Sequence, residues 1–354
     1  MNIILGNNGQ GKTNLVEALY FMTQGDSFRY SDNEVLIRKN QQVNSAVLRA
    51  ELQVNNLDYQ ISLEIKKHEK TLLLNQKKVS ALQLRKLFPI VIFSPESLSV
   101  IKESDEQRRN LLDEVLLSLG GISADSVKEY RKVLKTRNRV LRDFRDPEKS
   151  VANLDALLQS LNPLFLNAAV QLTLQRLRLL ENLQTPMRQC AQRIIEANSP
   201  SPVDISVDYV ISDQKVTDFS AELLMDTLRK RLLELEAAER SSGTSLVGPH
   251  KHDIRFVYNQ NDSRFFCSQG QQRALIISFK MAQIVYHRKA LKNDPVLILD
   301  DVLSELDQEK RLALVGFLQE FSSQIFITST DVNLPDLGTE LKTSVQKIQQ
   351  GALL

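Results

Sequence analysis

The sequence predicts an α/β fold in which a parallel sheet carries a phosphate-binding loop, antiparallel β hairpins accompany it, and a helical lobe is inserted between the two halves of the site. Three observations carry this. The apolar run Ile3-Ile4-Leu5 ends at Gly6, and after four residues Gly11-Lys12-Thr13 follows, the spacing of a phosphate loop. Near the other end, Pro295-Val296-Leu297-Ile298-Leu299 reads as a buried strand closed by Asp300-Asp301. Between them, from about Glu103 to Asn198, the periodicity is helical throughout. A chain of 354 residues has room for two or more lobes with real cores.

In Gly6-Asn7-Asn8-Gly9-Gln10-Gly11 the glycines let the backbone curl until successive N–H groups face one point. Lys12 then reaches the β- and γ-phosphates, the Thr13 hydroxyl takes a place on Mg²⁺, and the helix running from Thr13 through Asn14 to Tyr20 offers its positive end. Leu15, Val16 and Leu19 are spaced to face a sheet. A glycine-rich turn that merely precedes Lys-Thr is the competing reading. A strand beginning at residue 2 has no earlier strand to pair with, so its neighbours are expected from later in the chain.

Composition is that of an ordinary soluble protein, with 42% apolar and 25% charged residues. Net charge is only +2, so any nucleic-acid surface must come from local clustering. Cys190 and Cys267 lack metal or disulfide spacing, the usage of a reduced cytosolic protein. No apolar run nears the roughly 18 residues of a spanning helix. No basic-then-apolar leader opens the chain, so a cytoplasmic protein without a membrane partner is expected.

In order, Gly25 stops the first helix. Val47–Val54 and Tyr59–Ile65 alternate as a hairpin about Asn55-Asn56, Thr71–Leu74 turns at Asn75-Gln76 toward Val79, and Pro89–Phe93 is a buried strand. A helix with Leu111, Leu112, Val115, Leu116 and Leu119 ends at Gly120-Gly121. The next, about Asp125 to Phe144, carries Lys128, Arg131, Lys132, Lys135, Arg137, Arg139, Arg142 and Arg145 against Glu129 and Asp143. That run reads equally as a DNA contact or a solvated face. A helix from Val151 to Leu183 is expected to break at Pro163, with a kink at Thr185-Pro186 and a stop at Ser199–Pro202. A strand Val203–Ile211, a helix Ala221–Arg240 and a strand Ile254–Tyr258 follow. The division expected is 1–102, 103–200 and 201–354.

Three C-terminal stretches supply what the loop lacks. Asp300 ends a strand where a carboxylate holds Mg²⁺, and Asp301 points toward an attacking water; a plain helix cap is the alternative. Ser268-Gln269-Gly270-Gln271 opens a helix of about Ala274 to Leu291, offering a hydroxyl, N–H groups and a dipole end, or merely a cap. Asp307 in Ser304-Glu305-Leu306-Asp307 fits a helix start, and Gln324–Thr330 is a strand ending in hydroxyls, where Thr328 can sense a γ-phosphate.

These motifs, in this order, resemble an ABC-type ATPase head. More narrowly the chain resembles the RecF family of bacterial DNA-repair proteins, relatives of the SMC heads, over essentially its whole length. Gly6 to Ala18, Gly25 with Ser27-Phe28-Arg29, Phe93-Ser94-Pro95-Glu96, Arg108-Arg109 with Leu112-Asp113, and Gly248-Pro249-His250 carry the likeness. The resemblance implies a head-to-tail, ATP-dependent homodimer in which Ser268 to Gln271 complete the partner's site. Lys12, Thr13 and Asp300 would bind phosphate and Mg²⁺, Asp301 would be the catalytic acid and Asp307 would help join the halves. It also implies a weak, DNA-stimulated ATPase acting on gapped DNA at single-strand/double-strand junctions, with RecR and RecO, to load RecA. Two departures stand out: the family has strands ahead of the loop, where it draws adenine contacts, and Lys102-Glu103-Ser104-Asp105 replaces its glycine-rich link.

The alternatives are an SMC-type scaffold with little hydrolysis and a transporter's nucleotide-binding subunit. About 95 inserted residues are too few for a long coiled-coil arm and its return, and a long helical insert is not a transporter's compact subdomain. Asp301 favours hydrolysis, and its being shorter than Glu fits slow turnover.

Overall fold

The computed structural model describes residues 1–29, 33–37, 45–54, 56–66, 69–146, 148–195, 203–217, 220–330 and 343–354. In chain order the elements are β1 (Asn2–Leu5), α1 (Lys12–Gln24), β2 (Ser45–Val54), β3 (Leu57–Lys66), β4 (Lys70–Leu74), β5 (Lys77–Lys78), α2 (Ala81–Leu87), β6 (Ile90–Phe93) and α3 (Pro95–Ser99). Then come α4 (Asp105–Leu119), α5 (Gly121–Asp143), α6 (Val151–Ile194), β7 (Ile205–Ile211), β8 (Gln214–Lys215), α7 (Ala221–Glu234), α8 (Glu236–Ser242), β9 (Asp253–Tyr258), β10 (Asn261–Asp262) and α9 (Ser263–Phe266). The chain closes with α10 (Gln269–Leu291), β11 (Val296–Asp300), α11 (Gln308–Gln319), β12 (Ile325–Ser329), β13 (Ser344–Gln349) and β14 (Ala352–Leu353). Two compact units result, one of Met1–Leu98, Arg193–Ile195 and Ile276–Leu354, the other of Ser99–Gln192 and Glu196–Leu275.

The first unit holds a six-stranded sheet of order β14-β13-β1-β12-β11-β6, parallel except for the β13–β14 hairpin. The strand at residue 2 does find its neighbours late in the chain: β1 lies between β12 and β13. Leu5 pairs with Ser329, Asp300 with Thr328 and Leu299 with Phe93, so the strands' carboxyl ends line up along one edge. Ligands of open α/β sheets bind at that edge. Helix α1 is buried on two sides. Val16 packs with Ile4, Ile298 and Ile348 of the sheet. Phe21 and Met22 pack with Ile61, Leu63, Ile65 and Leu72 of the antiparallel sheet β2-β3-β4-β5. This double burial fixes the helix that carries Lys12 and Thr13.

The second unit contains the helices α4 to α6 and a sheet of order β10-β9-β7-β8. It therefore extends past residue 200: β7 to β10 pair among themselves and fall with the helical insert, so the units are not the expected 1–102, 103–200 and 201–354. Three helix expectations are corrected. Helix α5 starts at Gly121 rather than near Asp125. Helix α6 runs unbroken for 44 residues through Pro163 and Pro186. A proline inside a helix costs about 3 kcal/mol, and the burial of Phe165, Ala169, Val170, Leu172 and Leu183 offsets it. The helix expected over Ala221–Arg240 is two, α7 and α8, separated at Leu235. The Ser199–Pro202 stop, Pro147 and Asn55 lie outside the described residues.

Candidate functional site

The loop after β1 leaves no room for side chains where it bends. A Cβ on Gly6 would meet the Ile348 carbonyl oxygen at 2.8 Å, and Gly11, at φ +99°, faces Gly351 at 3.3 Å. Gly351 N–H donates to the Gln10 carbonyl at 2.9 Å and Gln350 N–H to Gln10 Oε1 at 2.8 Å. The β13–β14 turn thus holds the loop from outside, and the Gln10 side chain is spent on that contact. Sequence reasoning missed this, because a contact spanning the length of the chain leaves no local signal. Lys12, buried, donates from Nζ to the carbonyls of Gly6 (3.0 Å) and Asn7 (3.4 Å), with Asp301 Oδ2 at 3.8 Å.

The expected acids stand next to the expected hydroxyl. Thr13 Oγ1 donates to Asp300 Oδ1 at 3.1 Å and Thr328 Oγ1 donates to the same oxygen at 2.7 Å. Asp301 N–H donates to Thr328 Oγ1 at 2.9 Å, and Asp301 itself is left-handed at φ 50°. Thr328, fully buried, therefore orients the acid pair. Burial raises the Asp300 carboxyl above the usual range, the two threonine hydroxyls pull it down, and the charges of Asp301 and Glu96 push it up again. Glu96, just beyond β6, is not among the expected site residues, although the Phe93–Glu96 stretch carries part of the family likeness. Arg29 likewise reaches Asn14 Oδ1 at 3.3 Å and Glu17 Oε2 at 3.4 Å, with Ser27 also donating to Glu17.

Ser268 caps α10 through a reciprocal pair: Ser268 N–H donates to Gln271 Oε1 (2.9 Å) and Gln271 N–H to Ser268 Oγ (3.3 Å). The first-turn N–H groups of Gln269 and Gly270 have no acceptor within the helix. Nothing sits closer than 4.0 Å to a Cβ built on Gly270, so internal packing does not demand glycine there. Asp307 caps α11, accepting from Lys310 N–H at 2.9 Å and pairing with the Lys310 ammonium, which holds its carboxyl below the usual range.

The basic run on α5 is not one stripe. Lys128, Arg131, Lys132, Lys135, Arg139, Arg142 and Arg145 are at least partly exposed, but Arg137 is 1% exposed. Its guanidinium donates to Glu239 Oε2 (2.6 Å), Ser245 Oγ (2.6 Å) and Asn162 Oδ1 (3.1 Å). Helical pitch turns it inward, and the sequence shows no sign of this because Glu239 lies about a hundred residues on. The Arg108 and Asp113 motif is also internal: Arg108 pairs with Asp253 at 2.8 Å and Asp113 accepts from Arg176 at 2.9 Å. Ser104 and Gln107 form a capping box, so the Lys102-Glu103-Ser104-Asp105 stretch is an ordinary helix start.

The RecF/RecN/SMC N-terminal domain model matches residues 1–351. Proteins called DNA replication and repair protein RecF from Staphylococcus epidermidis and Heliobacterium modesticaldum are each 31% identical over the whole chain, covering 93% and 92% of their own lengths. Among solved structures, RecF-ATP, a recombination mediator protein of the RecFOR pathway, superimposes with a TM-score of 0.85 at 26% identity, over 100% of this chain and 90% of that one. An Smc head from Pyrococcus furiosus matches at a TM-score of 0.51 and 15% identity, over 99% of this chain and 88% of that one, a likeness of fold alone. The fold is that of an ABC-type ATPase head. The chain belongs to the RecF/RecN/SMC family and, within it, to the RecF proteins of DNA replication and repair.

Proposed function

We propose that this chain is an ATP-controlled DNA clamp that closes as a head-to-tail homodimer, hydrolyses ATP slowly and helps load the RecA recombinase at gapped DNA with RecR and RecO. The observation that supports it most is the Thr13–Asp300–Thr328–Asp301 hydrogen-bonded chain beside Lys12. A desolvated carboxylate sharing one oxygen with two hydroxyls, with further acid charge nearby, suits a hard cation with oxygen ligands. Thr13 and Asp300 would hold Mg²⁺, which neutralises phosphate charge when bound. The loop from Gly6 to Asn14 would cradle the phosphates, and Lys12 would exchange its carbonyl partners for phosphate oxygens. Asp301, a third exposed and fixed through its own N–H, would orient the attacking water. Ser268 to Gln271 and Asp307 would meet the partner's site, which makes dimer closure depend on ATP.

The test is fluorescence anisotropy of a gapped duplex with ATP, with ADP and without nucleotide. Tight binding with ATP alone, decaying as ATP is consumed, is expected; equal binding with ADP would contradict the clamp.

A further inference from the structure

Phe265 and Phe266 are 74% and 72% exposed, adjacent, and three and two residues ahead of Ser268. Both stand on the short helix α9. Arg264 stacks over the Phe265 ring at 5.4 Å and is held by Asp262 (2.7 Å) and Asp253 (2.9 Å). Gln272, buried in the first turns of α10, donates to the Ser263 carbonyl at 2.6 Å, so α9 and the Ser268 helix start are one rigid piece. Two adjacent exposed aromatic rings, one of them stacked on a held guanidinium, are what a protein interface uses as an anchor.

The phosphate-loop unit carries a matching feature. A hollow of about 360 Å³, lined by Ala18, Phe21, Leu36, Leu48 and Ile65 together with the paired Glu17 and Arg29, also takes in Asn14, the residue after Thr13. We infer that Phe265 and Phe266 are the apolar anchor of the homodimer, each copy seating its pair against the phosphate-loop unit of the other. The inference rests on the ATP-dimer reading, in which Ser268 of one copy meets the loop of the other. The rings then travel with Ser268 toward a hollow that adjoins Thr13 in sequence, and a two-fold axis makes the contact twice. Preformed rings cost little ordering on association, so they add affinity where the polar signature alone adds specificity.

The experiment is sedimentation equilibrium with ATP and Mg²⁺ on wild type, F265A/F266A, F265L/F266L and Val35→Glu. Val35 lines the same hollow and is 65% exposed. Self-association should weaken by at least ~10-fold in F265A/F266A, weaken less in F265L/F266L, and weaken in Val35→Glu. Binding of a fluorescent ATP analogue to the dilute monomer should be unchanged in all of them. Wild-type association of F265A/F266A overturns the anchor and leaves the dimer reading standing. A wild type that stays monomeric with ATP overturns the dimer reading itself.

Discussion

Lys12 and Arg137 are both buried cations, 4% and 1% exposed, yet they are held in different ways. Arg137, in the second unit, has a carboxylate, a hydroxyl and an amide oxygen within 3.1 Å, and its ring neighbour Phe165 lies at 4.8 Å. Lys12, in the first unit, touches two carbonyls of its own loop, and its nearest carboxylate is at 3.8 Å. Each of the three guanidinium nitrogens of Arg137 already donates to a packed side chain, so a ligand would have to displace part of the fold to replace those partners. Lys12 has partners that a phosphate can replace. Burial of a charge therefore does not by itself mark a site; the exchangeability of its partners does.

The sharpest way to break this comparison is to remove each cation. Arg137→Ala leaves Glu239 buried and unpaired, so unfolding should cost about 3–5 kcal/mol less. Lys12→Ala should shift nucleotide-free unfolding by less than about 1 kcal/mol while abolishing stabilisation by ATP. Urea titrations with and without ATP check both, and equal destabilisation by the two variants would erase the distinction.

Acid should act on the second unit through His250 and His252, both held neutral by burial. The Nδ1 of His250 lies 2.5 Å from the Tyr130 hydroxyl and its Nε2 2.8 Å from the Ser245 carbonyl, and burial pushes its pKa down to about 4. A depressed histidine is neutral in the fold, so its contribution is complete above about pH 6.5 and is lost as pH falls toward 4. Between about pH 7.5 and 4.5 the loss from His250 should be about 2–3 kcal/mol, and His250→Gln should reduce the slope by that share. A wild-type stability that is level over that range would contradict the neutral assignment.

In the first unit, Asp301→Asn should slow hydrolysis by ~10²-fold or more with ATP affinity kept, as single-turnover assays would read. The smallest effect belongs to the exposed face of α5. Arg139→Ala with Arg142→Ala should weaken binding to all DNA sequences alike and reduce the salt slope by about one unit for each phosphate left without its cation. Unchanged affinity and slope would make that face only a wetted surface.

Much of the first unit was legible because its chemistry is local. The loop spacing, the Asp300-Asp301 pair and Asp307 as a cap each depend on neighbours a few residues away, as does Ser268 as a helix start in the second unit. Thr328 stood out as a site residue, but its hydrogen bonds to the acid pair did not, since its register opposite Asp300 exists only in the sheet. The second unit was harder to read. Charge counting along α5 could not separate Arg137 from Arg139, because Glu239 and Ser245 arrive from another helix and loop. The continuity of α6 was missed for a related reason: propensity at Pro163 is a local cost, and the packing that outweighs it is not local.

The central claim is that ATP bound at Lys12 is completed by Ser268 of a second copy. Light scattering with ATP and Mg²⁺ tests it directly on wild type and Ser268→Arg, the latter placing a bulky cation at a helix start whose own cap is exposed. Wild type should double its mass with ATP and Ser268→Arg should remain monomeric while still binding ATP. A Ser268→Arg protein that dimerises as wild type does would contradict the claim.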